Sequence, residues 1–150
     1  MEFEEILNEY KNYLFKMIYS YIQNREDSED ILQEVFLKLY VNLSKIKEPE
    51  KLKYYLIKLC RSKIYDFLRK KKRLSLLHQK VQQVQSSKSS DSGEVLEKLN
   101  ILPKKLRDVL ILKDIQNLSY KEISKVLNMK VGTVQTYVFK ARNILRRLLK

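Results

Sequence analysis

Near the end of this 150-residue chain stand Thr133, Gln135, Thr136, Tyr137, Phe139, Lys140 and Arg142, residue types that contact base edges and phosphates in a DNA groove. They fall on or beside one face of a predicted helix. The opposite face carries Val131, Val134, Val138, Ala141 and Leu145 at three- and four-residue steps. Immediately upstream, Ser119 and Glu122 have the spacing of a capping box, in which the serine oxygen accepts one free N–H and the glutamate accepts another. A short helix therefore starts there, with Ile123, Val126 and Leu127 inside and small Ser124 where a second helix must come close. Asn128 tolerates the left-handed conformation that ends a helix, and Met129-Lys130-Val131 forms the turn. Two helices joined this way make a helix-turn-helix, whose chemistry is binding. An ordinary helical hairpin with a solvated basic face has the same spacing, and Lys130 is a poor cap for the second helix.

Bond-making chemistry finds less support. Asp27, Glu29 and Asp30 offer carboxylates for a metal-dependent nuclease, but no nucleophile, metal-ligand set or glycine-rich loop accompanies them. His78 is the only histidine and Cys60 the only cysteine, a composition that argues against a zinc site, a histidine-based triad and an internal disulfide. Cys60 falls on the apolar side of its helix, as a small buried hydrophobe. No metal, cofactor or catalytic residue is expected. Asp30 and Glu34, with Gln33 and Lys38, share the polar side of one helix; like charges four residues apart cost a few tenths of a kcal/mol. A docking face and a merely solvated face explain their presence equally well.

The elements that position these residues are read as helical throughout. Two glycines and two prolines leave little room for sheet turns, and 44% hydrophobic content supplies the cores. Residues 1–23 form an amphipathic helix through Ile6, Leu7, Tyr10, Tyr13, Leu14, Met17, Ile18 and Tyr21, its tyrosines being core and boundary residues rather than a base-stacking platform. Asp27 or Ser28 caps the second helix, which buries Ile31, Val35, Phe36, Leu39 and Leu43. Pro49 opens a third, with Leu52, Tyr55, Leu56, Leu59, Cys60, Ile64, Phe67 and Leu68 inside and a basic face outside that runs into Arg69–Arg73. Residues 74–93 begin with LSLLHQKVQQVQ, which either extends this helix or forms a short one, and end in the flexible tract SSKSSDSG. Val95, Leu96 and Leu99 begin another helix, Pro103 opens the next, and Leu106, Val109, Leu110 and Leu112 underlie the helix-turn-helix.

The net charge of +13 is unevenly spread: −5 over residues 1–44, +9 over 45–73 and +8 over 94–150. An acidic block for a protein partner followed by two basic blocks for phosphate backbone fits this distribution. A basic helix can also lie on an anionic membrane, but its apolar stripe is needed to cover the two preceding helices. No charged-then-apolar leader or long apolar run is visible, so a cytoplasmic protein without membrane insertion is expected.

Taken together, DSEDILQEVFLKLY, LIKLCRSKIYDFLRKKKR and the tract from LPKKLRDVL through LSYKEI and VGTVQ to NILRRLL resemble bacterial sigma factors of the small extracytoplasmic-function (ECF) type. These keep only regions two and four. The resemblance implies an all-α protein of two small helical domains: region two over 1–73, a linker over 74–93 and region four over 94–150. It implies that Asp30, Gln33, Glu34 and Lys38 face the clamp coiled coil of RNA polymerase. The loop from Lys45 to Glu50 receives a base flipped from the minus-ten element, and Lys45, Lys47, Lys58, Arg61, Ser62, Lys63, Asp66, Arg69 and Arg73 serve that element and its phosphates. Thr133, Gln135, Thr136, Tyr137, Phe139, Lys140 and Arg142 serve the minus-thirty-five element. Core polymerase, through its clamp and its flap, and promoter DNA are the implied partners, with an anti-sigma protein as a further candidate.

Departures from the family pattern carry consequences. Lys58 and Leu59 stand where primary sigma factors place two strand-separating tryptophans, so weaker melting and stricter promoter choice are expected. Ser62 stands where asparagine is usual, and Gln135 and Tyr137 where basic residues are common, which predicts an unusual promoter preference. A stand-alone helix-turn-helix regulator, binding duplex DNA without polymerase, is the alternative function.

Overall fold

The computed structural model describes residues 2–77 and 93–149, and among these every regular element is helical. The first half contains α1 (Phe3–Ile22), α2 (Arg25–Asn42), a single 3-10 turn at Leu43–Lys45 and α3 (Pro49–Leu77). The second contains α4 (Glu94–Leu99), α5 (Lys104–Leu110), a π turn continuing it at Ile111–Ile115, α6 (Tyr120–Leu127) and α7 (Val131–Leu148).

Glu4 and Glu5 in the first turn of α1 complement the positive end of its dipole. Gln23, at φ 56°, ends the helix in the left-handed conformation. The next residue, Asn24, begins α2: its backbone is extended and its side-chain oxygen accepts from the Asp27 N–H at 2.9 Å. The expected caps Asp27 and Ser28 are therefore corrected. Both lie inside the first turn, and Ser28 is buried. A two-residue link leaves α1 and α2 no choice but to fold back on each other, and α3 covers both.

Leu14, Met17, Ile18, Val35, Leu39, Leu56, Ile57, Cys60 and Ile64 are fully buried, which adds Ile57 to the predicted stripes, while Leu7, Tyr10, Tyr13, Leu43, Tyr55, Leu59, Phe67 and Leu68 are only partly buried at their margins. In the second half Leu99, Val109, Ile111, Leu112, Leu118, Ile123, Val134, Val138 and Ala141 play the same part. Val131 departs from expectation. As the first residue of α7 it precedes the contact with α6 and stays 39% exposed.

α3 is 29 residues long, about 43 Å at helical rise. Its helix continues to Leu77, and residues 69–77 are exposed along their whole length. The flexible tract expected between the halves, like His78, lies outside the described residues except for Gly93.

A linker of that length allows the halves to stand apart, yet they are packed together. α1 touches α4 and the π turn, and α3 touches α6. The buried apolar side chains of both halves belong to one continuous cluster.

Candidate polymerase-docking and DNA-binding surfaces

The helix-turn-helix is assembled as its spacing predicts. Ser119 Oγ accepts from the Glu122 N–H at 3.1 Å, and Glu122 Oε1 accepts from the Ser119 N–H at 2.9 Å. Asn128 ends α6 at φ 55°, and the Ser124 hydroxyl donates to the Met129 carbonyl, closing the turn. Lys130 makes no side-chain cap, as expected.

On α7, Gln135, Thr136, Phe139 and Lys140 are exposed, while Thr133 and Tyr137 are half-buried at the edge of the same surface. Phe139 is 68% exposed, an unusual place for a phenyl ring unless it meets an apolar group such as a thymine methyl. Arg142 is held differently. Its guanidinium grips Asp114 through two hydrogen bonds of 2.6 and 3.1 Å, tying α7 to the π turn. To contact DNA it must share or exchange that carboxylate.

On α3 and the loop before it, Lys45, Lys47, Lys58, Ser62, Arg69 and Arg73 are exposed. Lys63 is half-buried and lies 3.9 Å from Glu34, and Asp66 pairs with Arg69 one turn on. Arg61 points toward the second half, where it meets Asp108 at 2.9 Å. Between the loop and α3 opens a cavity of about 590 Å³ with walls from Ile46, Tyr54 and Tyr55 and a rim of lysines. Apolar walls with a cationic rim suit a base with its phosphates outside. Lys125 and Val126 of α6 complete the lining.

Asp30, Gln33, Glu34 and Lys38 are all exposed on α2. Sequence reasoning missed what continues this stripe. Leu37 and Val41, seven and eleven residues beyond Asp30, are 67% and 72% exposed, and Tyr40 beside them is 66% exposed. The stripe thus joins exposed acids to exposed large apolar side chains, a composition a protein-docking face can use. Sequence reasoning placed Leu37, Tyr40 and Val41 neither in the buried stripe of this helix nor among its polar-face residues.

Reasoning from sequence also missed the contacts between halves. Asp108 is 1% exposed and accepts from Tyr21 Oη at 2.6 Å, Tyr65 Oη at 2.5 Å and the Arg61 guanidinium. Burial first, then the neighbouring carboxylate, pushes the Tyr65 phenol up to about 12 and Tyr21 well above its ordinary range, so both hydroxyls remain donors. Tyr13 Oη donates to the Gln116 carbonyl at 2.7 Å, and Gln116 Nε2 returns a bond to the Tyr13 carbonyl at 3.0 Å. Tyr54 Oη donates to Glu122 Oε2 at 3.0 Å, and Gln23 donates to the Leu96 carbonyl.

The candidate nuclease carboxylates do not converge: among the described residues no three His, Cys, Asp or Glu side chains are grouped to hold a metal ion. Nor is any described helix long and apolar enough to cross a membrane.

Two family matches divide the chain in the same order: Sigma-70 region 2 over residues 6–74 and Sigma-70 region 4 over residues 92–145. The ECF RNA polymerase sigma factor SigW of Bacillus subtilis is 31% identical over 99% of this chain and 89% of its own length. The chain belongs to the ECF sigma factors. RNA polymerase sigma factor SigV of the same organism is 25% identical, over 93% of this chain and 86% of its own. Among solved structures, the sigma factor RpoE in complex with the anti-sigma factor NepR from Bartonella quintana has a TM-score of 0.81 at 24% identity, over 98% of this chain and 96% of that one. CnrH in complex with the cytosolic domain of CnrY has a TM-score of 0.74 at 22% identity, over 98% and 86%. The fold of this ECF factor is thus the all-α fold of region two and region four. Its function is that of an alternative RNA polymerase sigma factor in transcription initiation.

Proposed function

We propose that this sigma factor binds core polymerase through the outer stripe of α2 and divides promoter recognition between its halves, taken as region two over 1–73, a linker over 74–93 and region four over 94–150. Asp30, Gln33, Glu34 and Lys38 make the polar contacts to the clamp coiled coil, and Leu37, Tyr40 and Val41 supply apolar area beside them. The observation that carries this assignment is the juxtaposition of exposed acids with exposed large hydrophobics on one helix face. Region four makes the second polymerase contact, at the flap.

The cavity behind Lys45 and Lys47 takes the flipped minus-ten base. Lys58, Arg61, Ser62, Lys63, Asp66, Arg69 and Arg73 line the path of that strand and its phosphates. Ser62, exposed and one atom beyond Cβ, reaches less far than an asparagine would, so part of the usual base contact is lost. Thr133, Gln135, Thr136, Tyr137, Phe139, Lys140 and Arg142 meet the minus-thirty-five element, with fewer cationic contacts than is common because Gln135 and Tyr137 are neutral. The protein does no bond chemistry of its own; phosphodiester synthesis belongs to the polymerase in the cytoplasm. An anti-sigma protein is a further partner, a reading supported by solved relatives that were captured with one.

The experiment is in vitro transcription of a genomic DNA library by bacterial core polymerase with and without the protein. New transcripts whose upstream regions share a two-part motif are the expected result. Duplex-specific binding by the protein alone, with no new transcript, would overturn it in favour of a stand-alone regulator.

A further inference from the structure

We propose that the cavity bounded by the loop before α3, by α3 and by α6 is a binding site for a free nucleoside polyphosphate. The base lies against Tyr54 and Tyr55, and the phosphates are gathered by lysines from both halves of the chain.

The walls accept a base. Ile46, Tyr54 and Tyr55 give apolar lining to a cavity of about 590 Å³, within the range of about 300–1,000 Å³ usual for small-molecule sites. Both tyrosines are anchored through their hydroxyls: Tyr54 Oη donates to Glu122 Oε2 at 3.0 Å, and Tyr55 Oη accepts from Asn42 Nδ2 at 3.2 Å. A ring pinned in this way loses little further freedom when a planar heterocycle stacks on it. Buried Val126 closes the lining from α6.

The rim selects what the base must carry. Lys45, Lys47, Lys51, Lys58 and Lys125 surround the cavity, and Glu48 is the one carboxylate among the lining residues. Glu48 pairs with Lys51 at 3.3 Å, whereas Lys45, Lys47, Lys58 and Lys125 take part in no ion pair among the described residues. Like charges gathered beside an apolar wall focus a positive potential into the concavity, and an anion with several charges on adjoining oxygens answers it best. Lysine binds phosphate as a compact point charge, so several can share one chain of phosphates. A lone phosphate leaves the apolar walls wet. An uncharged nucleoside leaves the ammonium groups unanswered. A DNA strand brings one phosphate per nucleotide, spread along its backbone, while a polyphosphate concentrates the charge on one ribose.

Lys125 makes the site a joint one. It and Val126 belong to α6, which touches α3, so neither half supplies the whole lining. A ligand held there binds the packed chain and stabilises it by mass action. One consequence rests on the minus-ten reading above: a free nucleotide and the flipped base exclude each other from the same walls.

Fluorescence anisotropy of the full chain tests the site with neither DNA nor polymerase present. The probes are ATP and GTP labelled with N-methylanthraniloyl, competed by the unlabelled nucleotide, by its nucleoside and by inorganic tripolyphosphate. The tighter of the two nucleotides is expected to compete about tenfold or more better than its nucleoside or tripolyphosphate. Tripolyphosphate as effective as the nucleotide would reduce the site to a cationic surface, and no saturation below about 1 mM would remove it; either result overturns the proposal. Lys125 is exposed and outside any ion pair, so Lys125→Ala leaves the fold in place and is expected to weaken the nucleotide about tenfold. Lys121→Ala, exposed on the same helix but outside the cavity, is expected to leave its affinity unchanged. Equal affinities of the two variants would refute a site shared by both halves. With nucleotide at about a hundredfold excess over its Kd, the melting temperature is expected to rise by on the order of 5–10 °C, and no rise would count against binding to the packed chain. Failure of these measurements strikes the nucleotide site alone, because the minus-ten reading stands or falls on transcription from promoters.

Discussion

Glu122 offers the sharpest test of how the helix-turn-helix is held, because one carboxylate serves two interfaces. One oxygen completes the capping box of α6 with the Ser119 N–H, and the other accepts from Tyr54 across the boundary between halves. Its pKa is lowered below the ordinary 4.5, first by the backbone hydrogen bond from Ser119, with Tyr54 and Lys53 assisting against desolvation. Replacing it by glutamine keeps the shape but turns one acceptor into a donor, so either Ser119 N–H or Tyr54 O–H loses its partner. It also removes a negative charge from the N-terminal turn of a helix, an effect of about 0.3–1 kcal/mol. One lost charge-assisted hydrogen bond adds about 1–2 kcal/mol, so Glu122→Gln should destabilise the chain by about 2 kcal/mol at neutral pH. That corresponds to a fall in melting temperature of roughly 4–8 °C for a chain of this size.

The pH dependence distinguishes this explanation from a packing defect. A carboxylate whose folded pKa lies below its unfolded value contributes stability that is complete above the unfolded pKa and disappears as pH falls through the folded one. The difference between wild type and Glu122→Gln should therefore be constant at and above about pH 6 and narrow below the ordinary value of 4.5. Urea unfolding followed by circular dichroism, repeated across this range, measures it. A gap that stays the same width at low pH would refute the electrostatic account.

Three further outcomes are expected. Asp30→Ala with Glu34→Ala removes the exposed acids of α2 and should weaken core polymerase binding about tenfold, or about 1.4 kcal/mol, in a fluorescence titration, while leaving the melting curve in place. Exchanging Gln135 and Thr136 for other polar residues should redirect minus-thirty-five preference by about 1–3 kcal/mol per contact, read as a changed ranking of promoter variants; uniform loss on all promoters would contradict direct base contact. Gly132→Ala places a methyl where nothing lies within 4 Å, in the first turn of α7, so it should stabilise the fold by about 0.5 kcal/mol in thermal unfolding.

Local devices were legible in the sequence and long-range ones were not. The capping box at Ser119 and Glu122, the left-handed Asn128 and the buried stripes of α1, α3 and α7 follow from spacings of three and four residues, which the backbone imposes wherever a helix forms. The start of α2 was harder, because Asn24, Asp27 and Ser28 are all capable caps. The choice fell to Asn24 once Gln23 had ended α1 and left the next residue extended. Val131 looked buried by period alone, but a period does not say where the neighbouring helix stops. The exposure of Leu37, Tyr40 and Val41 was invisible for a related reason: an apolar residue on a helix carries no mark of which side will be left uncovered. Asp108 and Tyr21 are 87 residues apart in sequence, and no local pattern links them.

The same contrast distinguishes the packing within each half from the directional contacts between them. Within each half the helices are joined by apolar stripes whose exposure to water would cost about 25 cal/mol per Å². Those contacts stay made. Across the boundary, the directional contacts are phenol to carboxylate, guanidinium to carboxylate and amide to carbonyl, which exchange for water at small net cost. Such bonds specify one docked geometry more strongly than they stabilise it, since each demands a particular partner at a particular distance. Packing and direction are thus combined at the boundary: the buried apolar side chains of both halves form one continuous cluster, and the hydrogen bonds beside it fix one docked geometry.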